Sequence, residues 1–306
     1  MWKRLRNLPF SQTLLLNIQS DHLDYHKTES NYIDAKLSII ELNNKNPTII
    51  FIDKIQDLLK NFSDDQKKQL SKSQFLSSTD TSAAFKYSLE YNPSGSSNIK
   101  LRFPNLCLDT QVSLFLKYNA ENYISAIALI AGQISLDEFE IVRSNSIKLP
   151  QGRGEILKLR EGNILIDFAH DHQSIQNILS ELANYHDEII LVFGCGGDRD
   201  KSKRSKMMKV AQDFASKIFF TSDNNRYEPF SSIVKDAMAG NSYTSIEILE
   251  DRKEAINLAL QCLNKENILV ILGKGHETYM DVSGKKVPFN DKDCVLEILD
   301  NEINKS

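Results

Sequence analysis

Residues 188–204 read EIILVFGCGGDRDKSKR. An apolar run, a glycine cluster and a dense alternation of acids and bases follow one another without interruption. That order predicts a buried strand, a tight turn and the start of a helix, the arrangement by which α/β proteins build anion sites. Glycines let the backbone approach a phosphate or carboxylate. The N–H groups at a helix start point toward it, and Arg199, Lys201, Lys203 and Arg204 supply positive charge. Such a segment specifies a small anionic ligand without saying which.

The alternation extends on both sides. Apolar runs at 164–168, 189–193, 218–221, 246–249 and 268–272 alternate with helix-period stretches at 174–183, 203–215, 230–238 and 253–263. Strands alternating with helices over this length predict a Rossmann-like, mostly parallel sheet covered on both faces. Ligands of such sheets sit beyond the carboxyl ends of the strands. The expected strand ends are DFAH at 167–170, GCGGDR at 194–199, SDNNR at 222–226 and GKGHE at 273–277, all polar, charged or rich in glycine. Proline and glycine cluster in LPQGRG at 149–154, which places a domain boundary there and divides the chain into 1–149 and 150–306.

The first of these domains is also α/β but less regular. Helices are predicted over 28–42, with Thr28 as cap, over 54–62 and over 119–132. A short strand is predicted over 47–53 and several strands over 85–116. The stretch 63–82, rich in Ser, Lys, Gln and Asp, reads as a solvated loop or weak helix.

Bulk properties exclude several classes. The chain has 306 residues, 41% hydrophobic and 25% charged, with a net charge of -4. These are globular values, and the balance argues against a nucleic-acid surface. Lys3, Arg4 and Arg6 ahead of Leu14, Leu15 and Leu16 mimic a signal peptide, but Asn17, Gln19 and Asp21 end the apolar core too early. No stretch approaches the roughly 20 apolar residues of a membrane span. Cys107, Cys195, Cys262 and Cys294 are scattered, as expected of a reduced cytoplasmic protein. Cys195 reads as a small space-filling residue rather than a nucleophile. The 306 residues contain no G-x-x-x-x-G-K-[ST] loop. Arg199 stands where the third glycine of G-x-G-x-x-G belongs, which disfavours a dinucleotide oxidoreductase.

Several separated segments, in order, resemble the Mur ligase family. NIQSDHLDYH at 17–26 is similar to the family's TNLSxDHLDYHG, and NYIDAKL at 31–37 to the helix that follows it. Asn119 and Asn122 match a pair of asparagines in an N-x-x-N helix, and GRGE at 152–155 the hinge GRxE. DFAH at 167–170 resembles DYAH, residues 194–204 resemble GCGGDRDxxKR, DNNR at 223–226 resembles DNPR, and GKGHE at 273–277 is identical to the family pattern.

The resemblance implies an ATP-dependent amide-forming ligase that joins meso-diaminopimelate to a UDP-linked muropeptide in peptidoglycan synthesis. ATP phosphorylates a substrate carboxylate, and the incoming amine displaces phosphate. The family's roles fall on His22 and on Lys36, a lysine the family carbamylates, as ligands for Mg2+. They fall on Asn119, Asn122, Asp167 and His170 for the nucleotide, and on Arg199, Asp223, Asn224, Arg226, Gly273 and Glu277 for substrate. A diamino diacid offers a distal carboxylate to Arg226 and a distal ammonium to Glu277. Lys203 and Arg204 are expected to be solvated helix charges.

Departures are specific. Asn225 replaces the proline of DNPR, and Asp171, His172 and Gln173 replace the Thr-Pro-Asp of the family's YAHTPD. Gln151 is an apparent insertion at the hinge. Losing two prolines is expected to leave both loops less preorganised. The family's UDP-sugar domain, phosphate-binding loop and acidic metal-binding segment would lie before Met1. The expectation is therefore a chain inactive by itself, completed by a separately encoded N-terminal ligase piece, or else a non-catalytic remnant that binds an amino acid or nucleotide.

Overall fold

The computed structural model describes residues 10–18, 26–42, 46–92, 96–114, 116–131, 149–242 and 244–303. The chain forms two compact units, Met1–Ile147 and Lys148–Ser306.

In the first unit, the described strands form one sheet in sequence order. They are β1 (Leu14–Leu15), β2 (Ile49–Phe51), β3 (Gln74–Ser77), β4 (Phe85–Asn92), β5 (Ser96–Phe103) and β6 (Leu106–Val112). β1 to β4 pair in parallel, and β4, β5 and β6 form an antiparallel meander. β5 buries every second side chain, as a sheet with one solvated face requires. Helix α1 (Glu29–Leu37) starts where the Thr28 side chain accepts from the Asn31 N–H, and it tightens into a 3₁₀ segment over Ser38–Leu42. Its Ile33 and Leu37 pack with Leu15, Ile50 and Ile55.

Two expectations for this unit are corrected. The helix expected over 54–62 is a pair of 3₁₀ segments, Ile52–Lys54 and Gln56–Asn61, neither with a side-chain cap. Between them Ile55 turns inward and is 1% exposed, so core packing overrides the helical period. For 63–82, the loop reading is corrected and the weak-helix alternative holds in part. The stretch contains α2 (Asp64–Leu70) and β3, because Ser63 and Gln66 form a reciprocal capping box and Leu70 and Leu76 are buried. Helix α3 (Lys117–Ile130) follows the meander.

The second unit is the expected parallel sheet. Its elements are β7 (Arg153–Lys158), β8 (Asn163–Asp167), α4 (His172–Leu182), β9 (Glu188–Cys195), α5 (Ser202–Phe214), β10 (Lys217–Ser222) and α6 (Phe230–Met238). They continue with β11 (Ile246–Leu249), α7 (Arg252–Gln261), β12 (Asn267–Leu272), the hairpin β13 (Tyr279–Val282) and β14 (Lys285–Pro288), and α8 (Asp291–Ile303). Strand order is β11-β10-β9-β12-β8-β7, with only the edge strand β7 antiparallel. All six residues of β12 are buried, as a central strand covered on both faces demands. On α4, Ile175, Ile178, Leu179 and Leu182 recur at helical spacing and are buried, a stripe that contributes about 6–12 kcal/mol by area removed from water. Because β12 inserts between β9 and β8, the loops leaving β8, β9, β10 and β12 meet along one rim.

Candidate acceptor-binding rim

The glycines of the β9 loop serve packing between loops. A Cβ on Gly194 would stand 2.3 Å from the Thr221 carbonyl oxygen, and one on Gly197 would stand 1.9 Å from that of Asn225. This loop therefore lies directly on the segment that leaves β10. Hydrogen bonds close the seam: Gly197 N–H to Asn224 O at 2.9 Å, Arg226 Nη1 to Gly197 O at 2.6 Å, and Asp198 N–H to Glu228 Oε2 at 3.0 Å. Tyr227 N–H returns to Asp198 Oδ2 at 3.1 Å.

Arg204 is not a solvated charge. It is 1% exposed, and Nη1 donates to Glu228 Oε1 and Asp236 Oδ2, both at 2.8 Å, while Nη2 donates to Glu228 Oε2 at 2.7 Å and Gly196 O at 3.0 Å. Helical spacing explains the correction, since Arg204, Met207, Met208 and Ala211 form the buried face of α5. The Arg204 hydrogen bonds, with Lys201 and the Asp198 N–H, hold the Glu228 carboxyl far below the usual carboxylate range. Lys203 is half-buried. Arg199 is exposed at the loop tip and makes no ion pair among the described residues. Cys195 is buried with Sγ 3.8 Å from Met207 Sδ, and burial pushes its thiol up to about 12, consistent with space-filling.

The DNNR segment is held from its other side as well. Arg226 has φ +51, its N–H donates to Asp281 O at 2.9 Å, and its carbonyl accepts from Ser283 N–H at 2.7 Å. The β13–β14 hairpin thus pairs with the loop through an isolated bridge between Arg226 and Val282. Asn225, in the place of the proline, is 7% exposed and donates Nδ2 to Ser222 Oγ at 3.0 Å. Hydrogen bonding ties this loop where a fixed φ does not. The other proline-free segment is likewise ordered: the Asp171 side chain accepts from Gln173 and Ser174 N–H and caps α4.

The GKGHE segment completes the rim. Gly273 has φ +111, and a Cβ there would come within 2.8 Å of Asp223 Oδ2. Between Gly273 and Gly275, Lys274 is turned fully inward at 0% exposure. Its Nζ lies 2.8 Å from Glu277 Oε2, 3.4 Å from Asn224 Oδ1 and 3.9 Å from Asp223 Oδ1. Asn224 Nδ2 also donates to Glu277 Oε2 at 2.8 Å. Burial pushes the Glu277 carboxyl up, but the Lys274 and Asn224 hydrogen bonds and the Lys274 and His276 charges outweigh it and leave it lowered. Sequence reasoning missed Lys274. Its one visible signal was a lysine three residues before a glutamate, between glycines at a strand end.

Arg252 and Asp291, both 0% exposed at the side chain, pair beneath this rim. On its far side Phe168 is ringed by Arg153, whose guanidinium carbon is 4.5 Å from the ring centroid, and by the rings of His170 and His276 at 4.8 and 5.0 Å. His170 is exposed. Asp167 is 5% exposed, and its carboxylate accepts from Gly154 N–H at 2.7 Å and Ala169 N–H at 2.8 Å, which ties β7 to the end of β8.

In the first unit, Lys36 is half-buried on α1 with Nζ 5.5 Å from the Tyr32 ring centroid. On α3, Asn119 is buried and Asn122 exposed. His22 lies outside the described residues. Among the described residues no three of His, Cys, Asp and Glu converge as a metal site.

Two family models match the chain. The Mur ligase middle domain matches residues 1–130, and the Mur ligase glutamate ligase domain matches residues 152–275. The chain is 34% identical over 303 residues to a UDP-N-acetylmuramoyl-L-alanyl-D-glutamate--2,6-diaminopimelate ligase of Fusobacterium nucleatum, covering 95% of this chain and 59% of that protein. It is 34% identical over 309 residues to the Helicobacter hepaticus protein of the same name, covering 96% and 62%. A solved structure of a ligase so named superposes with a TM-score of 0.57 at 28% identity, over 98% of this chain and 62% of the other. A MurF ligase from Thermotoga maritima, solved in complex with ADP, shares the fold with a TM-score of 0.65 at 14% identity, over 97% and 63%. The chain thus spans about 60% of the length of the relatives it matches.

Proposed function

The chain belongs to the Mur ligase family, and from that premise we propose that residues 150–306 form the acceptor site of an ATP-dependent, amide-forming ligase. This cytoplasmic enzyme adds meso-diaminopimelate to UDP-N-acetylmuramoyl-L-alanyl-D-glutamate in peptidoglycan synthesis. The observation that carries this reading is the junction at Asn224. Its carbonyl accepts from Arg226 Nη1 at 3.3 Å and its Nδ2 donates to Glu277. One residue thereby joins a guanidinium able to grip a carboxylate to a carboxylate able to meet an ammonium. A diamino diacid satisfies both. Lysine lacks the distal carboxylate and leaves Arg226 unmatched, a difference of the kind that gives large discrimination. Asp223, 6% exposed, and Gly273 border the same space, and Arg199 is placed at the rim to meet substrate anions.

Residues 1–149 would belong to the central, nucleotide-handling domain, with Asn119 and Asn122 as nucleotide contacts and His22 and Lys36 as Mg2+ ligands, while Asp167 and His170 would be nucleotide contacts supplied by residues 150–306. The described residues do not by themselves fit a magnesium ion, since no acidic or imidazole cluster converges around Lys36. Asp167 already accepts two backbone N–H groups, so a ribose hydroxyl would have to share its oxygens. What this chain's residues supply is binding and orientation of the acceptor.

Calorimetry with meso-diaminopimelate and with L-lysine tests the acceptor reading. Diaminopimelate is expected to bind at least about tenfold more tightly, and Arg226→Ala to erase that preference by weakening diaminopimelate alone. Unchanged diaminopimelate affinity in Arg226→Ala would reject it.

A second reading is that these 306 residues bind the acceptor without turnover. No amide is expected from this polypeptide alone with ATP, UDP-linked dipeptide and diaminopimelate. Activity restored by a ligase piece carrying a phosphate-binding loop would favour a two-piece enzyme, and robust amide formation without one would dismiss binding-only behaviour.

A further inference from the structure

Among the described residues of the second unit, three cations are almost fully buried: Arg204, Arg252 and Lys274. Arg204 and Arg252 each grip a carboxylate in bidentate geometry, and their remaining contacts with the rim are to backbone carbonyls, Gly196 O for Arg204 and Ser222 O and Leu272 O for Arg252. Lys274 differs in place and in partners. Its ammonium lies inside the rim, between the loops that follow β10 and β12, and it meets Glu277, the Asn224 carboxamide oxygen and, at 3.9 Å, Asp223. A lysine costs free energy to bury and is retained in such a place only when its charge is matched. Here the matched groups are the ones that border the acceptor space.

Resting on the acceptor reading above, we infer that Lys274 is a positioning residue of this pocket. Its buried ammonium clamps Glu277 Oε2 and Asn224 Oδ1, so that Glu277 meets the acceptor's distal ammonium as an oriented carboxylate.

The geometry supports each part. Lys274 is itself 0% exposed and is not presented to a ligand, whereas the Glu277 side chain is 24% exposed. Glu277 Oε2 is taken by Lys274 Nζ and by Asn224 Nδ2, both at 2.8 Å, which fixes the plane of the carboxylate. Asn224 Oδ1, in turn, accepts from Lys274 and from the Asp281 N–H at 2.8 Å, which fixes which end of the carboxamide faces Glu277. The backbone is anchored too, because Asn290 Nδ2 donates to Glu277 O at 2.9 Å. The charged groups around Glu277 are Lys274, His276 and, beyond Lys274, Asp223. Removing Lys274 leaves two acids and one buried carboxamide oxygen without their shared cation. The Glu277 carboxyl then rises and its orientation loosens. A residue that merely filled space would change neither.

The experiment uses the 306-residue chain as wild type, Lys274→Met, Glu277→Gln and the double variant. The Glu277 carboxyl is followed by carbon-detected NMR in the free protein, and meso-diaminopimelate binding by calorimetry between pH 5 and 8. In Lys274→Met the carboxyl is expected to titrate at higher pH than in wild type. Diaminopimelate binding is expected to weaken at least tenfold at pH 6 and to recover as pH rises. The wild type should vary little over the same range. If Lys274→Met does not fold, the double variant, which removes both charges together, is compared with Glu277→Gln. Equal affinity in those two is expected, since Lys274 acts through Glu277. A carboxyl titration unmoved by Lys274→Met, or a further tenfold loss on adding Lys274→Met to Glu277→Gln, overturns the inference. The acceptor reading fails separately, by absence of diaminopimelate binding to the wild type, and the NMR arm still decides whether Lys274 sets Glu277.

Discussion

Arg252 and Asp291 form a buried, doubly hydrogen-bonded pair, with Nε to Oδ1 at 2.7 Å and Nη2 to Oδ2 at 2.9 Å. The remaining guanidinium donors reach the ends of two strands, Nη2 to Leu272 O at 2.9 Å and Nη1 to Ser222 O at 3.3 Å. One side chain thus holds the carboxyl ends of β10 and β12 and the start of α8 in register. The DNNR and GKGHE segments leave from those two strand ends.

Breaking this pair is expected to be costly. Asp291→Ala leaves a guanidinium buried without its counterion, a change that costs about 3–5 kcal/mol in comparable sites. Urea unfolding followed by circular dichroism should show the second unit destabilised by that order. Arg252→Met with Asp291→Leu should recover much of the loss, because an apolar pair strands no charge. A loss below about 1 kcal/mol for Asp291→Ala would mean that water reaches the pair.

Glu228 makes the stability of this unit depend on acid. Its carboxyl ordinarily titrates near 4.5, and the hydrogen bonds from Arg204 lead the causes that lower it in the fold. A lowered folded value means that the unfolded chain takes up the proton first. The stabilisation is therefore fully present above about 4.5 and erodes as pH falls toward the lower folded value. Melting temperature measured from pH 7 to pH 2 should fall through that window, and Glu228→Gln should flatten the fall while lowering stability at pH 7.

The cysteines should separate by reactivity. Burial leads in pushing Cys195 to about 12 and Cys294 to about 11, whereas Cys107 is exposed. At pH 8 a thiol at 12 is thiolate in only about one molecule in ten thousand. Brief iodoacetamide treatment of the native protein, read by peptide mass spectrometry, should label Cys107 and spare Cys195. Fast labelling of Cys195 would indicate that the β9 loop opens.

How much of this was legible follows from what each residue's environment depends on. β9 and β12 are buried on both faces and read as unbroken apolar runs, so their strands and the loops behind them were visible. The β13–β14 hairpin was not, because its residues are half-buried or exposed and its order comes from pairing with Arg226. The Ser63–Gln66 capping box that starts α2 was present in the letters, but the polar composition around it hid the helix. Arg204 lay on the apolar period of α5 and was obscured by the run of charges beside it. Lys274 had one faint local sign, the glutamate three residues on, and nothing in the letters that told of its burial. Its burial arises only when Gly273 and Gly275 take positive φ and fold the segment onto Asp223 and Phe168.

Gly197→Ala should discriminate between an anion-binding loop and a loop that frames its neighbour. A Cβ at Gly197 would lie 1.9 Å from Asn225 O and 3.1 Å from Glu228 Cβ, and the first of these is backbone that cannot swing aside. The two loops must then separate, at a cost of about 1–3 kcal/mol by analogy with overpacked cores. Separation would break the Gly197 N–H bond to Asn224 O and the Arg226 bond to Gly197 O, which together place Arg226. Diaminopimelate binding should therefore weaken along with stability, although residue 197 touches no expected ligand group. Gly240→Ala is the control: it strains the backbone at φ +76, which Gly197→Ala does not, but nothing lies within 4 Å of its Cβ. That variant should lose some stability and keep its affinity. Equal affinity in both variants would show that the β9 loop does not hold Arg226 in place.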